Sequence, residues 1–110
     1  MKILIIEDDY CFQVLIRGII LSVITDQVDI DLAETVEEAL TQLDKSIDLV
    51  VSDYQFPGGN FPAILERITS LNLDYIVSSS LIRKDILPER FISKSNLLEG
   101  LRKKLQSKAA

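Results

Sequence analysis

Short apolar runs rich in β-branched residues alternate along this chain with longer segments in which apolar residues recur at helical spacing. Strand character is found in five places: Ile3–Ile6, Val28–Leu32, Asp48–Ser52, Tyr75–Val77 and Phe91–Ile92. Parallel strands must be joined by crossover connections, which are usually helices. The alternation therefore predicts an α/β fold in which helices cover both faces of a parallel sheet.

The polarity of the individual strands predicts their order in the sheet. The second strand, Val28–Leu32, alternates apolar and acidic residues, whereas the first strand and the centre of the third, Leu49–Val51, are apolar throughout. A strand with one polar face suits an edge of the sheet, and strands that are apolar on both faces suit its centre. We predict a three-layer, flavodoxin-like, doubly wound sheet of five parallel strands in the order 2-1-3-4-5.

Caps and spacing predict four helices. The first spans about Tyr10 to Ile24, the second follows the cap Thr35, and the third carries Pro62 in its first turn. Ser95 is predicted to cap the last helix, in which three leucines face inward: Leu98, Leu101 and Leu105. Only ten residues, Ser80 to Glu89, separate the fourth and fifth strands. A further helix in that connection is therefore predicted to be short or absent.

Composition restricts the chemistry that the chain can perform. It has 110 residues, predicted as one domain over 1–110, with a net charge of −5, no histidine and a single cysteine, Cys11. Zinc sites of histidine or paired cysteine and triads that need histidine are excluded, and the acidic charge argues against nucleic-acid binding. A single cysteine permits no internal disulfide, which fits the cytoplasm, and we expect Cys11 to be a small buried hydrophobe. No segment is long and apolar enough to suggest a membrane span.

Polar residues follow four of the five predicted strands, at the point where each strand ends. They form four short groups: Glu7-Asp8-Asp9, Ser52-Asp53, Ser78-Ser79-Ser80 and Ser93-Lys94. Because the strands are parallel, these groups should meet at one rim of the sheet, where doubly wound folds bind ligands. Carboxylates this close repel one another unless a cation neutralises them, and oxygen ligands suit Mg²⁺. The rim therefore predicts a magnesium site at which a carboxylate can accept a phosphoryl group.

The same residues resemble the receiver domains of bacterial two-component response regulators, of the chemotaxis-regulator type, from end to end. Lys2–Asp9 resembles the first strand and acidic pair of that family, and Leu49–Pro57 resembles its phosphoacceptor strand. Val77–Ser80 resembles the end of the fourth strand, and Phe91–Lys94 resembles the lysine that a switch aromatic precedes by three residues. Each motif is weak alone, but four in order at matching strand ends are a strong signal.

The resemblance implies a role for each matching residue. Asp53 would be the phosphoacceptor, Ser79 and Lys94 would contact its phosphoryl group, and Phe91 would be the switch aromatic. Mg²⁺ would be held by Asp8, Asp53 and the backbone carbonyl of Gln55, and Glu7 would act on it mainly through a metal-bound water. Because three serines are adjacent at 78–80, either neighbour of Ser79 can take its place.

The resemblance also implies a function and partners. Asp53 would take a phosphoryl group from a phosphohistidine on a sensor histidine kinase or a histidine phosphotransfer protein, and a homodimer is a further option. The domain would catalyse only its own phosphorylation and dephosphorylation. It is therefore not expected to be an enzyme with an external substrate.

Three alternatives stand beside this interpretation. A receiver-fold interaction module that signals without phosphorylation is favoured by the short connection before Phe91 and opposed by the complete set of rim residues. A phosphatase of another aspartyl-phosphate fold needs a second aspartate two positions after Asp53, where Gln55 stands. A flavodoxin needs phosphate-binding donors after the first strand, where this chain is acidic.

The first helix is more apolar than one buried stripe requires. Between Cys11 and Ile24 only four residues are not apolar: Gln13, Arg17, Gly18 and Ser22. Some apolar side chains should therefore be exposed, and an exposed apolar patch often marks a partner surface. We hypothesise that this helix docks the helical bundle of the phosphodonor or a second copy of the domain. The alternative is deeper burial against the last helix.

Overall fold

The computed structural model of the chain describes residues 1–109. The strands are β1 (Lys2–Ile6), β2 (Asp29–Ala33), β3 (Leu49–Asp53), β4 (Tyr75–Ser79) and β5 (Phe91–Ser93). The helices are α1 (Tyr10–Val23), α2 (Val36–Gln42), α3 (Phe61–Ser70) and α4 (Leu97–Ala109). All strands are parallel and form one sheet in the order β2-β1-β3-β4-β5. The predicted fold class, strand order and edge position of the second strand are confirmed.

Alternate residues of the central strands pack into two separate apolar layers. In β1, Leu4 and Ile6 belong to the cluster that packs with α2 and α3, whereas Ile3 and Ile5 belong to the cluster that packs with α1 and α4. Each such aliphatic side chain stabilises the fold by roughly 1.5–3 kcal/mol when it is fully buried. The two layers hold the central strands from both sides and so fix the level at which the strands end. Within residues 1–109, no helix combines the length and the apolar character that crossing a membrane requires.

The connection between β4 and β5 contains no α-helix in the described chain, and its one helical turn is the 3-10 helix Pro88–Arg90. Ile86 anchors this connection, because its side chain is 5% exposed and packs in the cluster with α2 and α3. Leu81, Ile82 and Leu87 are exposed. The prediction of a short or absent helix is confirmed, and a loop with one buried anchor takes its place.

The last helix begins later than predicted. Ser95 lies within a 3-10 helix, Lys94–Asn96, and its hydroxyl lies 2.9 Å from that of Ser93. α4 starts only at Leu97. The predicted cap is therefore wrong, because the chain makes one 3-10 turn directly after β5 and takes Ser95 into that turn.

The buried face of α4 is shifted for the same reason. Leu97, Leu101 and Leu105 are buried, whereas Leu98 is 51% exposed. The prediction that Leu98 faces inward is wrong, and the predictions for Leu101 and Leu105 are confirmed. Spacings of three and of four residues both fit a helical stripe, so the start of the helix decides which leucine packs on the sheet.

α1 buries one polar side chain and exposes several apolar ones. Gln13 is buried and donates from its Nε2 to the backbone carbonyl of Glu7 over 2.8 Å. Cys11 is exposed, so the prediction of its burial is wrong, because the first turn of the helix directs Gln13 inward and Cys11 outward. The exposed large apolar residues of α1 are Tyr10, Val14, Leu15 and Leu21. Packing of α1 with α4 occurs, but it leaves this outer apolar face uncovered in the described chain.

Asp74, directly before β4, binds three cationic side chains. Nζ of Lys104 and Nζ of Lys108 lie 3.1 and 3.0 Å from its carboxylate oxygens, and Arg90 also contacts it. Partial burial raises the pKa of Asp74, but hydrogen bonds from the three cations outweigh burial and lower the pKa from 3.8 to about 2. These ion pairs tie the C-terminal half of α4 to the start of β4.

Replacing Asp74 with asparagine should lower the free energy of unfolding by about 1–2 kcal/mol at neutral pH. The pKa of this carboxylate is lower in the folded than in the unfolded chain. The ionised Asp74 carboxylate therefore stabilises the folded chain above about pH 4, and this stabilisation is lost as the pH falls through about 2. Urea denaturation of both proteins between about pH 7 and about pH 2 measures the difference. Glu99→Gln removes an exposed pair with Lys103 and should change the stability by less than about 0.5 kcal/mol; an equal loss in both variants would contradict the role of Asp74.

Candidate functional site

Parallel pairing brings the polar strand ends to one rim of the sheet. Asp53 of β3 is the register partner of Ser78 in β4, and Ser79 is that of Ser93 in β5. Glu7 directly follows β1, which is paired with β3. The groups that the sequence places at four separate strand ends therefore meet at the carboxyl edge of one sheet, on either side of β3.

Three carboxylates at this rim are close enough to share a cation. Glu7, Asp8 and Asp53 each offer one carboxylate oxygen, and these atoms lie within 4.8 Å of one another. Glu7 and Asp53 are buried, whereas Asp8 is exposed. Hard oxygen donors that are partly open to solvent suit a divalent cation such as Mg²⁺, which keeps several of its waters. The residues present fit the predicted metal.

Lys94 lies between two of the carboxylates. Its Nζ is 3.1 Å from Oε1 of Glu7 and 3.3 Å from Oδ1 of Asp53. It also lies 4.0 Å from the centre of the Phe12 ring, which adds a cation–π contact. The lysine side chain is only 10% exposed. Its ammonium group is therefore held in place at the rim instead of being free in solvent.

Glu7 is the most buried of the ionisable groups at the rim. Burial and the nearby Asp53 carboxylate raise the pKa of Glu7 from 4.5 to about 7, against the effect of hydrogen bonds from Asp9 and Lys94. The backbone N–H of Asp9 donates to Oε2 of Glu7 over 3.2 Å. Gln13, which the sequence did not identify as a rim residue, binds the Glu7 carbonyl from α1. A cation at the rim would relieve the repulsion between Glu7 and Asp53.

One carboxylate oxygen of Asp53 accepts a hydrogen bond and the other accepts none in the described chain. Oδ1 accepts the backbone N–H of Tyr54 over 2.8 Å and also faces Lys94. Within residues 1–109, Oδ2 has no hydrogen-bond partner. The side chain is only 9% exposed. Asp53 is therefore fixed in orientation and retains an oxygen that can react.

The three adjacent serines have different surroundings. Oγ of Ser79 accepts the backbone N–H of Leu81 over 3.2 Å and Nε of Arg83 over 3.5 Å. Oγ of Ser78 is buried and has no hydrogen-bond partner among the described residues. Ser80 is exposed. The Ser79 hydroxyl oxygen thus accepts hydrogen bonds from two N–H groups. Its own proton remains free to be donated to a ligand.

The remaining predicted residues lie around this centre. Gln55 is exposed, two residues beyond the end of β3, so its backbone carbonyl follows Asp53 closely in the chain. Phe91, the first residue of β5, is partly buried and packs against the cluster with α2 and α3. The acids and lysine therefore form the centre of the rim, and the predicted switch aromatic lies in the core layer beside it.

No family model and no curated protein matches the sequence, but the structure has clear counterparts. A response regulator receiver domain protein from Bacillus halodurans superposes with a TM-score of 0.77 at 11% identity, over 98% of this chain and 96% of that chain. The receiver domain of the hybrid histidine kinase CckA superposes with a TM-score of 0.76 at 19% identity, over 100% of both chains. This chain has the receiver-domain fold. The Mn²⁺-bound form of response regulator Rcp1 matches with a TM-score of 0.67 at 18% identity, over 96% of this chain and 89% of that chain.

One cluster on this receiver-domain fold was not predicted from the sequence. The Tyr54 hydroxyl donates to Oδ2 of Asp85 over 2.5 Å, and this hydrogen bond raises the pKa of Tyr54. Cζ of Arg83 lies 4.2 Å from the centre of the Tyr54 ring, and the same ring stacks with Phe61 at a centroid distance of 4.9 Å. The loop between β4 and β5 thus packs directly on the residue that follows Asp53.

Proposed function

We propose that the chain is a phosphoacceptor switch of a two-component phosphorelay and that Asp53 takes the phosphoryl group. One arrangement carries the proposal: Asp53 lies between the Lys94 ammonium group and a cluster of carboxylates fit for a divalent cation. Phosphoryl transfer is achieved mostly by positioning and by neutralisation of charge. A fixed carboxylate with a free oxygen beside a buried ammonium group meets both requirements.

In the proposed reaction, an oxygen of Asp53 bonds to phosphorus while the bond from phosphorus to a histidine nitrogen of the donor breaks. The imidazole leaves with the electron pair of that bond, and the product is an acyl phosphate. Lys94, 3.3 Å from Oδ1 of Asp53, would offset the negative charge of the arriving oxygens. In our prediction the Ser79 hydroxyl donates to another phosphoryl oxygen.

The metal proposed for the rim is Mg²⁺. Glu7, Asp8 and Asp53 would hold it through their carboxylates, with the backbone carbonyl of Gln55 as a further ligand. When bound, the ion would supply positive charge against both the carboxylates and the phosphoryl oxygens. Rcp1, which shares this fold, has a Mn²⁺-bound form, and this supports a divalent cation here.

We infer that the domain acts on no external substrate and catalyses only the formation and hydrolysis of its own acyl phosphate. A phosphoryl group adds roughly 1.5 to 2 negative charges at pH 7. Those charges would favour one of two conformations that are already in equilibrium. Phe91 is the predicted aromatic residue of that change.

The proposed phosphodonor is the histidine-bearing helical bundle of a sensor kinase or of a phosphotransfer protein. The N-cap of α1 is Asp9, at the rim, so the exposed Tyr10 and Val14 lie close in the chain to the carboxylate cluster. A groove of about 260 Å³ runs between α1 and β2, and apolar side chains such as Val14, Ile30 and Leu32 line it. An apolar surface that includes Tyr10, at the start of α1, suits a helix that presents its histidine to Asp53.

A second candidate function is an interaction module that signals without phosphorylation. The absence of an α-helix between β4 and β5 in the described chain favours it, because the surface that would transmit a phosphorylation signal differs from the one implied by the sequence resemblance. The two functions make opposite predictions for the wild-type protein in the presence of a phosphodonor.

Incubation with Mg²⁺ and acetyl phosphate should raise the intact mass of the wild-type protein by one phosphoryl group. Chelation of the metal with EDTA before the donor is added should prevent the increase, because the rim carboxylates would then repel the incoming phosphate. Mass spectrometry of the intact protein measures both results. A folded wild-type protein that gains no mass with Mg²⁺ present would favour the interaction module instead.

A further inference from the structure

The loop between β4 and β5 places a guanidinium group beside Tyr54, the residue that follows the proposed acceptor. Nε of Arg83 lies 3.5 Å from Oγ of Ser79, and Cζ of Arg83 lies 4.2 Å from the centre of the Tyr54 ring. Tyr54 directly follows Asp53, and its backbone N–H binds the Asp53 carboxylate. Arg83 therefore contacts both the residue after the acceptor and the serine predicted to bind the phosphoryl group.

Arg83 has hydrogen-bonding capacity that the described chain does not use. Within residues 1–109 its guanidinium forms no ion pair with a carboxylate, and its one hydrogen bond is the long contact to Ser79. A guanidinium has five N–H donors in a rigid, planar arrangement that matches phosphate oxygens. The group is partly buried and lies over the Tyr54 ring, so part of the entropy cost of ordering it is already met.

The loop keeps Arg83 near the rim. The backbone N–H of Ile86, whose side chain is buried in the core, donates to the carbonyl of Arg83 over 3.4 Å. Asp85 accepts the Tyr54 hydroxyl over 2.5 Å. The loop is thus attached to Tyr54 through Asp85 and to the core through Ile86, two and three residues after Arg83, whereas the adjacent Lys84 is exposed to solvent.

We propose that Arg83 is a second phosphoryl-binding cation, which engages the phosphoryl group on Asp53 and couples it to the loop between Ser80 and Leu87. The inference rests on the proposed function and adds the residue that transmits phosphorylation of Asp53 to this loop. The guanidinium exchanges its long contact with Ser79 for charge-assisted bonds to phosphoryl oxygens and leaves the face of the Tyr54 ring. Ser79, which now serves Arg83 as an acceptor, keeps its own proton to donate to the same group.

Beryllofluoride, which forms a non-hydrolysable analogue of an acyl phosphate on an aspartate, tests the proposal when it is added with Mg²⁺. Arg83→Gln should weaken beryllofluoride binding about tenfold, which is the usual effect of losing a hydrogen bond to a charged group. Arg83→Lys keeps the charge without the planar donors and should restore only part of the affinity. Lys84→Gln removes a neighbouring exposed charge and should bind as the wild type does. Titrations followed by ¹⁹F NMR measure these affinities, and Mg²⁺ binding alone should be the same in all four proteins.

A second measurement follows the arginine itself. The chain contains three tyrosines and no tryptophan, so its intrinsic fluorescence reports on tyrosine. Beryllofluoride should change the emission of the wild-type protein, because the guanidinium leaves the Tyr54 ring, and this change should be absent in Arg83→Gln and in Tyr54→Phe. A purely structural role of Arg83 would not link the emission to the ligand in this way.

The outcomes separate this inference from the proposed function. If the wild-type protein binds beryllofluoride, Asp53→Asn does not, and Arg83→Gln binds as tightly as Lys84→Gln, then Arg83 has no contact with the phosphoryl group and only this inference is overturned. If the folded wild-type protein binds Mg²⁺ but no beryllofluoride, both the inference and the proposed function are overturned.

Discussion

Asp53→Asn is expected to abolish phosphoryl uptake from acetyl phosphate while the protein stays folded. Asparagine has nearly the same shape as aspartate, but its amide lacks the anionic oxygen that forms an acyl phosphate. Asp53 is the rim carboxylate that combines contact with Lys94 and an available oxygen. We expect the rate of uptake to fall by more than about 100-fold, with no phosphorylated species detectable in the intact mass spectrum. A variant that still gains one phosphoryl group would assign the acceptor role to another residue, of which Asp8 is the first to test.

The same substitution should have little effect on stability, which separates the chemistry from folding. The Asp53 carboxylate acts with burial to raise the pKa of Glu7 to about 7, so removal of its charge relieves a repulsion. The loss of the contact between Asp53 and Lys94 opposes this gain, and Lys94 keeps its ion pair with Glu7 at 3.1 Å. We expect the free energy of unfolding in metal-free buffer to change by less than about 1 kcal/mol. Urea denaturation of the two proteins measures it.

The backbone fold was accessible from the sequence because its signals are periodic. The acidic residues Asp29 and Asp31 alternate with apolar ones, and this pattern identifies an edge strand without any knowledge of the tertiary structure. The connection before β5 has only ten residues, and this length alone predicts that it cannot form a full crossover helix. The start of α4 was not accessible, because a 3-10 turn and an α-helical first turn have similar sequence preferences, and the contact between Ser93 and Ser95 appears only in the folded chain.

The centre of the site was accessible for a different reason. Parallel strands place all their carboxyl ends at one edge, so strand ends alone predicted the meeting of Glu7, Asp53 and Lys94. The contacts around this centre were not accessible from the sequence, because no periodicity governs them. Arg83 lies in an irregular loop whose path depends on a single buried anchor, Ile86. Sequence reading therefore located the acids and the lysine but not the arginine that packs beside them.

Leu101→Ala is expected to lower the free energy of unfolding by about 3 kcal/mol. Leu101 is fully buried where α4 packs on the sheet and on α1. Truncation there removes apolar contacts and leaves a cavity that neighbouring side chains fill only in part, for which losses of roughly 2–5 kcal/mol are typical. A domain of this size has a total stability of about 5–15 kcal/mol. The urea midpoint should therefore fall by roughly 2 M, given a denaturant dependence of about 1–3 kcal/mol per molar.

Leu98→Ala is the matched control, because it makes the same chemical change three residues earlier on the same helix. Leu98 is 51% exposed, so its truncation should change the free energy of unfolding by less than about 0.5 kcal/mol, with alanine at least as favourable as leucine in a helix. The comparison tests the rotation of α4 directly. Equal losses in the two variants would mean that Leu98 also packs on the sheet, as the sequence predicts, and that the 3-10 turn before Leu97 does not set the face that α4 buries.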